Sequence, residues 1–337
     1  MLNRLLILMR IVLPIILIGW IGHSVWKEDP DALSGLWNRE KNYFLLGCSV
    51  TACLTAMVIT FWRWFLLVRA IDIPFRFRDA LRLGFIGNLF QYIALGTVGG
   101  DLFKAIFLAR EQPARKPEAV ATIFIDRAVG LLALLIVTSA AFLSFGWQRL
   151  PDELHVVAIM CFIITAVALF IVAGLLFTNA TTKPLRSLFR KVPAVAALLL
   201  RGEHALLLYR ENRQSFFLAL SSGFVSHCLL ATAAYFAAAS IYADHASFPE
   251  QVVTWNIAGS VSALPLSPGG LGTMEATYAS LYTNVPDGGR PKAHGFTIAI
   301  LLRVVYVIVA AIGIVVYWFS RREIDQLMKE AQLEEGD

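Results

Sequence analysis

Ser262–Glu275 reads SALPLSPGGLGTME, and this stretch decides the fold. It lies among strongly apolar residues, yet it carries Pro265, Pro268, Gly269, Gly270, Gly272 and the acid Glu275. The prolines cannot donate backbone hydrogen bonds and the glycines weaken a helix, so a helix arriving here should break. In lipid, broken backbone is tolerated only where protein buries it or where it lines a watery cavity. Interrupted apolar segments at corresponding places in two halves of a chain point to a transporter's binding site. A second interruption, Gly96–Asp101 (GTVGGD, with Gly99 and Gly100), lies in the first half.

Around these breaks the chain is apolar. Of its 337 residues, 58% are hydrophobic and 16% charged, whereas soluble domains carry roughly 25% charged residues. Several uncharged runs reach the length of about 20 residues that spans a bilayer. The expected fold class is an all-α polytopic membrane protein with about six transmembrane helices and two re-entrant helical hairpins. The net charge of +5 reflects basic loops on the cytoplasmic side and not a nucleic-acid partner. Cys48, Cys53, Cys161 and Cys228 all sit inside apolar runs, as small buried hydrophobes do.

The first segment, Leu5–Trp26, reads as a retained helix, since no small-residue cleavage site follows it. Segment 2, Tyr43–Leu67, ends in Phe61, Trp62, Trp64 and Phe65, placed as an interfacial belt would be. Segments 3 to 6 are Ala119–Phe145, His155–Phe177, Phe216–Tyr242 and Ala293–Ser320. Between segments 2 and 3, Leu83–Gly100 is uncharged but interrupted. As two half-helices of about 13 Å each, it would reach near the midplane of a core about 30 Å thick.

Basic residues set the orientation. With the N-terminus cytoplasmic and Leu83–Gly100 entering and leaving on one side, most of the 29 lysines and arginines fall inside, Arg63 to Arg82 among them. A spanning Leu83–Gly100 would put the basic loops Lys104–Lys116 and Lys183–Arg213 outside, against the positive-inside rule. For Gln251–Tyr282, charge leaves hairpin and span open, while symmetry favours the hairpin. The chain then reads helix, helix, hairpin, helix twice, in opposite orientations. That gives one transmembrane domain, 1–320, built as inverted halves 1–147 and 155–320, with a short cytoplasmic tail, 321–337. Both termini are expected in the cytoplasm. The loop Thr181–Gln214 reads either as helices lying on the cytoplasmic leaflet or as an ordinary basic loop.

Ionisable groups at membrane depth usually face the bundle interior or a cavity, with a partner. The candidates are Asn88, Asp101, Lys104, Asp126, Arg127, Glu275 and Arg303, with Gln91, His227 and Asn256 as further polar residues. In the functional reading, Arg127 and Arg303 meet an anionic head group and the acids position them. The arginine fork suits phosphate, and half-helix N-termini after Gly100 and Gly270 would favour anions. In the structural reading, Asp126–Arg127 and Glu275–Arg303 are ion pairs that lock helices together. His227 reads as an interhelical hydrogen-bonder. No GxxxxGK[ST] loop, HExxH or GxSxG motif occurs, so ATP hydrolysis, a metal, a cofactor and enzyme activity are not expected.

Gly87-Asn88, GTVGGD at Gly96–Asp101 with Lys104, Asp126-Arg127-Ala-Val-Gly130, PLSPGGLGTME at Pro265–Glu275, and Arg303 resemble, in order and spacing, the lysylphosphatidylglycerol synthase transmembrane family. This is the flippase-like membrane domain of the multiple peptide resistance factors and their stand-alone relatives. The resemblance runs from about Tyr43 to Ser320. It implies a bacterial inner-membrane protein that moves a phospholipid or glycolipid head group across the bilayer. A homodimer or a lipid-biosynthesis enzyme as partner is implied by the resemblance alone. Many members carry a proline before the first glycine motif and an arginine after it, where this chain has Leu95 and Lys104. The soluble synthase domain of the full resistance factors is expected to be missing, because Arg321–Asp337 is too short to be one.

The leading expectation is therefore a flippase-like translocase for an anionic lipid or lipid-linked glycan. Two alternatives remain at this stage. One is a non-transporting membrane partner of a lipid-modifying enzyme. The other is a polyprenyl-phosphate transferase with Asp101 or Glu275 as base.

Overall fold

A computed structural model of the chain describes residues 40–93, 97–177, 207–262, 270–285 and 289–334, together with Gly19 and His23. Among these residues the fold is helical and holds no strand. The helices are α1 (Tyr43–Ala70), α2 (Phe77–Ile93), α3 (Thr97–Glu111), α4 (Lys116–Phe145), α5 (Asp152–Phe177), α6 (Arg213–Ala239), α7 (Phe248–Ser262), α8 (Thr273–Thr283) and α9 (Lys292–Glu334). Among the described residues, five stretches are long and apolar enough to cross a membrane: Tyr43–Ala70, Pro113–Phe145, Asp152–Phe177, Arg213–Ala239 and Lys292–Ser320. The chain is a polytopic all-α membrane protein. Segment 1, most of the basic loop after α5, and the break residues Gly96, Pro265, Pro268 and Gly269 lie outside the described residues.

Local chemistry sets the helix ends. Asn42 starts α1 by accepting the Leu45 N–H at 3.2 Å, the bond an N-cap side chain supplies. Proline in the first turn opens α4, and Gly146 at φ 75° closes it, where a residue with a side chain would be strained. Buried Tyr209, just before α6, donates to the Leu67 carbonyl at 3.1 Å, and burial pushes its hydroxyl pKa up.

Both interrupted regions fold as antiparallel helical hairpins. In the first, Phe90 of α2 stacks on Phe103 of α3, with centroids 5.0 Å apart, and the Arg82 guanidinium lies 5.1 Å from the Phe107 ring. In the second, Tyr278 of α8 donates to Gln251 Oε1 of α7, and Gly270 abuts Ser262. At about 1.5 Å per residue the arms reach roughly 17–25 Å, short of a core about 30 Å thick.

The first hairpin differs from the sequence expectation in one respect. Its arms are α2, Phe77–Ile93, and α3, Thr97–Glu111. Gly99, Gly100 and Asp101 therefore lie inside α3, and no helix starts after Gly100. The glycines serve a close crossing instead. A Cβ on Gly100 would sit 2.3 Å from the Gly87 carbonyl oxygen. Gly270 and Gly272 do make a break, at φ 65° and 82°.

The packing follows one pattern twice. Helix α1 packs antiparallel on α6. The Asn42 N–H bonds the Ser240 carbonyl at 3.0 Å, and the Asn212 side chain bonds the Ala70 carbonyl at 3.4 Å. Each hairpin follows the C-terminal end of one of these helices, so the two are rooted at opposite ends of the bundle. The contacts α3–α4, α2–α9 and α4–α6 have counterparts in α8–α9, α7–α4 and α1–α9. Helix α5 stands outside this pattern and packs on α4.

One further expectation is corrected. Phe61 and Trp64 are buried in the bundle, so they belong to the core and not to an interfacial belt. Helix α9 continues through Glu334, past the apolar stretch that ends at Ser320.

Candidate functional site

The candidate charges gather in two clusters, one per half. Beside the first hairpin, Arg127 of α4 grips Asp101 of α3. Its Nε donates to Oδ2 at 2.6 Å and its Nη2 to Oδ1 at 2.8 Å. Such a two-bond fork is the strong form of this contact. The pair is open: the two side chains are 51% and 21% exposed. Phe124 and Leu131 on α4 and Leu102 and Ile106 on α3 are exposed around it.

Contrary to the structural reading, Asp126 does not pair with Arg127. The two neighbours leave α4 in different directions, and Asp126 turns inward to Arg63 of α1. Arg63 Nε donates to Oδ1 at 2.8 Å and Nη2 to Oδ2 at 3.1 Å, with both side chains buried. Glycines leave room for the guanidinium. A Cβ on Gly130 would lie 3.0 Å from Arg63 Nη1, and one on Gly223 would lie 3.4 Å from it. Sequence reasoning missed Arg63 by grouping it with the basic residues of the next loop. The available signal was its place before Trp64 and Leu67, inside an otherwise apolar run.

Lys104 lies one turn after Asp101 on α3. Its Nζ is 5.8 Å from the Phe61 ring and 5.3 Å from the Trp64 ring, within cation–π range. Among the described residues no carboxylate lies within ion-pair range of it. The cluster therefore holds Arg63, Lys104 and Arg127 against Asp101 and Asp126, one cation in excess. Asn88 on α2 is buried, and its amide nitrogen has no hydrogen-bond partner among the described residues.

Beside the second hairpin, Arg303 of α9 pairs with Glu275 of α8 at 2.7 Å, as the structural reading expected. The pair is shut, at 12% and 0% exposure. Glu275 is held twice, because its Oε2 also accepts the Gly272 N–H at 2.8 Å. Arg303 Nη2 further donates to the Gly270 carbonyl at 3.1 Å. The left-handed turn at Gly270 and Gly272 thus supplies both the carbonyl and the amide that fix this ion pair.

His227 Nε2 bonds the Gly130 carbonyl at 3.1 Å, the interhelical role its position suggested. Asn256 of α7 donates to Thr138 of α4 at 3.0 Å. A cleft of about 290 Å³ opens between α4 and α6, lined by Ala133, Ile136, Leu220, Ser221, Phe224 and Val225. None of these lining residues is charged, so the cleft suits an acyl chain better than a head group. Among the described residues no group of three His, Cys, Asp or Glu is placed to hold a metal ion.

The arrangement holds a half-exposed arginine, forked to a carboxylate, on helices with exposed apolar residues and next to an excess positive charge. That chemistry fits an anionic group attached to hydrocarbon. The family model described as lysylphosphatidylglycerol synthase TM region matches residues 4–313. No curated protein matches the chain.

Proposed function

The chain belongs to the lysylphosphatidylglycerol synthase transmembrane family, and from this we propose that it is a translocase for an anionic lipid head group. The observation that carries the reading is the repeated plan: a short hairpin with a carboxylate, facing a long helix with an arginine 26 residues on in one half and 28 in the other. Inverted halves with broken elements are the design of many transporters, whose sites lie where those elements meet. In this reading the two hairpins dip into the membrane from opposite faces. The head group travels between Arg127 and Arg303 while its chains remain in lipid. The phosphate replaces a carboxylate at each arginine in turn. The lipid-facing residues around Arg127 let the chains stay outside. Asn88 offers a spare donor near the first hairpin.

The test is head-group translocation in proteoliposomes, with labelled phosphatidylglycerol and phosphatidylcholine. Wild-type protein is expected to move the anionic lipid faster. Arg127→Gln and Arg303→Gln are each expected to slow that movement at least about tenfold, the loss that one strong charged contact gives. Equal movement by wild type and both variants overturns the proposal.

A further inference from the structure

We propose that Lys104 is the stand-by partner of Asp101. When an anionic head group takes Arg127, the Asp101 carboxylate turns along its own helix to the Lys104 ammonium. This inference rests on the reading of Arg127 as an anion site.

The need is electrostatic. Asp101 occupies both donor nitrogens of Arg127 that the fork presents. A phosphate can take that fork only by displacing the carboxylate. A carboxylate left without a partner at membrane depth is costly. Something must receive it, and the two halves differ in what is there to do so. Three residues after Glu275 stands Tyr278, whose hydroxyl is engaged with Gln251. Glu275 is also tied to the Gly272 amide, so one of its oxygens keeps a partner when Arg303 is taken.

Asp101 is different in each respect. It lies well inside α3 and caps no helix. Three residues after it stands a cation, and residues three apart share a helix face with Cβ atoms about 5–6 Å apart. In the present state the Lys104 ammonium lies over the Phe61 and Trp64 rings. The Lys104 stem also lies against the Gly87 backbone, where a Cβ would come within 3.0 Å of its Cε. The cation is thus held close to the crossing of the two arms. A flexible ammonium with three donors can swing to a carboxylate from there without helix movement. The swap keeps each anion paired before and after binding: Asp101 with Arg127 when empty, Asp101 with Lys104 and phosphate with Arg127 when loaded.

A double-mutant cycle tests this. Fluorescent phosphatidylglycerol is titrated onto purified full-length protein in neutral detergent, with phosphatidylcholine as reference. Lys104→Met is expected to weaken phosphatidylglycerol binding roughly tenfold, a typical coupling between linked sites. Asp101→Asn is expected to bind at least as tightly as wild type, since the competitor for Arg127 is gone. In the Asp101→Asn background, Lys104→Met is expected to change binding little, because no carboxylate needs a new partner. Equal weakening in both backgrounds overturns the swap and makes Lys104 a direct ligand of the lipid. No weakening in either background also overturns it. Wild-type protein that prefers neither lipid, with Arg127→Gln unchanged, overturns the underlying anion reading instead. The double variant keeps charge balanced on α3, so it guards against a folding failure of the singles.

Discussion

The two hairpins share a plan and use charge in opposite ways. Beside the second, one carboxylate and one arginine close on each other, buried and locked to the glycine turn. Beside the first, the corresponding pair is open, and behind it lie a buried arginine, a buried aspartate and an unmatched lysine. Counting from Asn42 and Asn212, the place of Arg63 is taken by Ala233 in the second half. Counting from Arg127 and Arg303, the place of Asp126 is taken by Leu302. Both substitutes are wholly buried among apolar neighbours. The same architecture is therefore stable with an apolar contact where the first half has an ion pair. The extra charges of the first half are not demanded by the fold.

That comparison breaks most visibly at Arg63. Breaking a buried pair leaves an uncompensated charge and costs about 3–5 kcal/mol, whereas an apolar pair of similar volume is often neutral. Arg63→Met alone, or Asp126→Leu alone, is expected to lose about that much in thermal unfolding in detergent. Arg63→Met with Asp126→Leu imports the second half's solution and is expected to recover most of the loss. A double variant as damaged as the sum of the singles would show that the first half depends on this pair in a way the second does not.

A smaller contrast separates the two carboxylates. Glu275 accepts from Arg303 with one oxygen and from Gly272 with the other. In Glu275→Gln, one side-chain oxygen must serve both donors. The expected cost is about 2–3 kcal/mol, the value of a hydrogen bond to a charged group. Asp101→Asn touches an exposed pair and is expected to cost under about 1 kcal/mol. The same unfolding assay checks both. Similar losses would mean that the open pair is as structural as the shut one.

Much of this was legible in the sequence, for identifiable reasons. Proline, glycine and acid inside an apolar run do not fit a spanning helix, so the second hairpin could be read from Ser262–Glu275. The Arg303–Glu275 pair followed because two lone charges at depth need each other. The first hairpin's turn was misplaced because GTVGGD resembles a breaker. Helices tolerate glycine when a second backbone must come close, and Gly87 against Gly100 is such a crossing. The Asp126 partner was missed because adjacency in sequence is not adjacency on a helix. Residues 126 and 127 point about 100° apart on a helix of 3.6 residues per turn, so one faces α1 and the other α3.

The glycines give the smallest and most local test. Gly100 meets the Gly87 carbonyl, and an added Cβ would fall 2.3 Å from that oxygen. Backbone on both sides leaves no rotamer to relieve the collision. Gly100→Ala is expected to destabilise by about 1–3 kcal/mol as the arms of the first hairpin separate. Gly259 lies in α7, in the second hairpin, with no described atom within 4 Å of a Cβ placed there. Alanine costs less backbone entropy than glycine in a helix, so Gly259→Ala is expected to stabilise by about 0.5–1 kcal/mol. Thermal unfolding of the two variants in one detergent measures opposite shifts if the first hairpin is held by close backbone contact and this stretch of the second is not. A loss at Gly259 comparable to that at Gly100 would mean that α7 also has a backbone neighbour close by, and the two hairpins would then be more alike in packing than in charge.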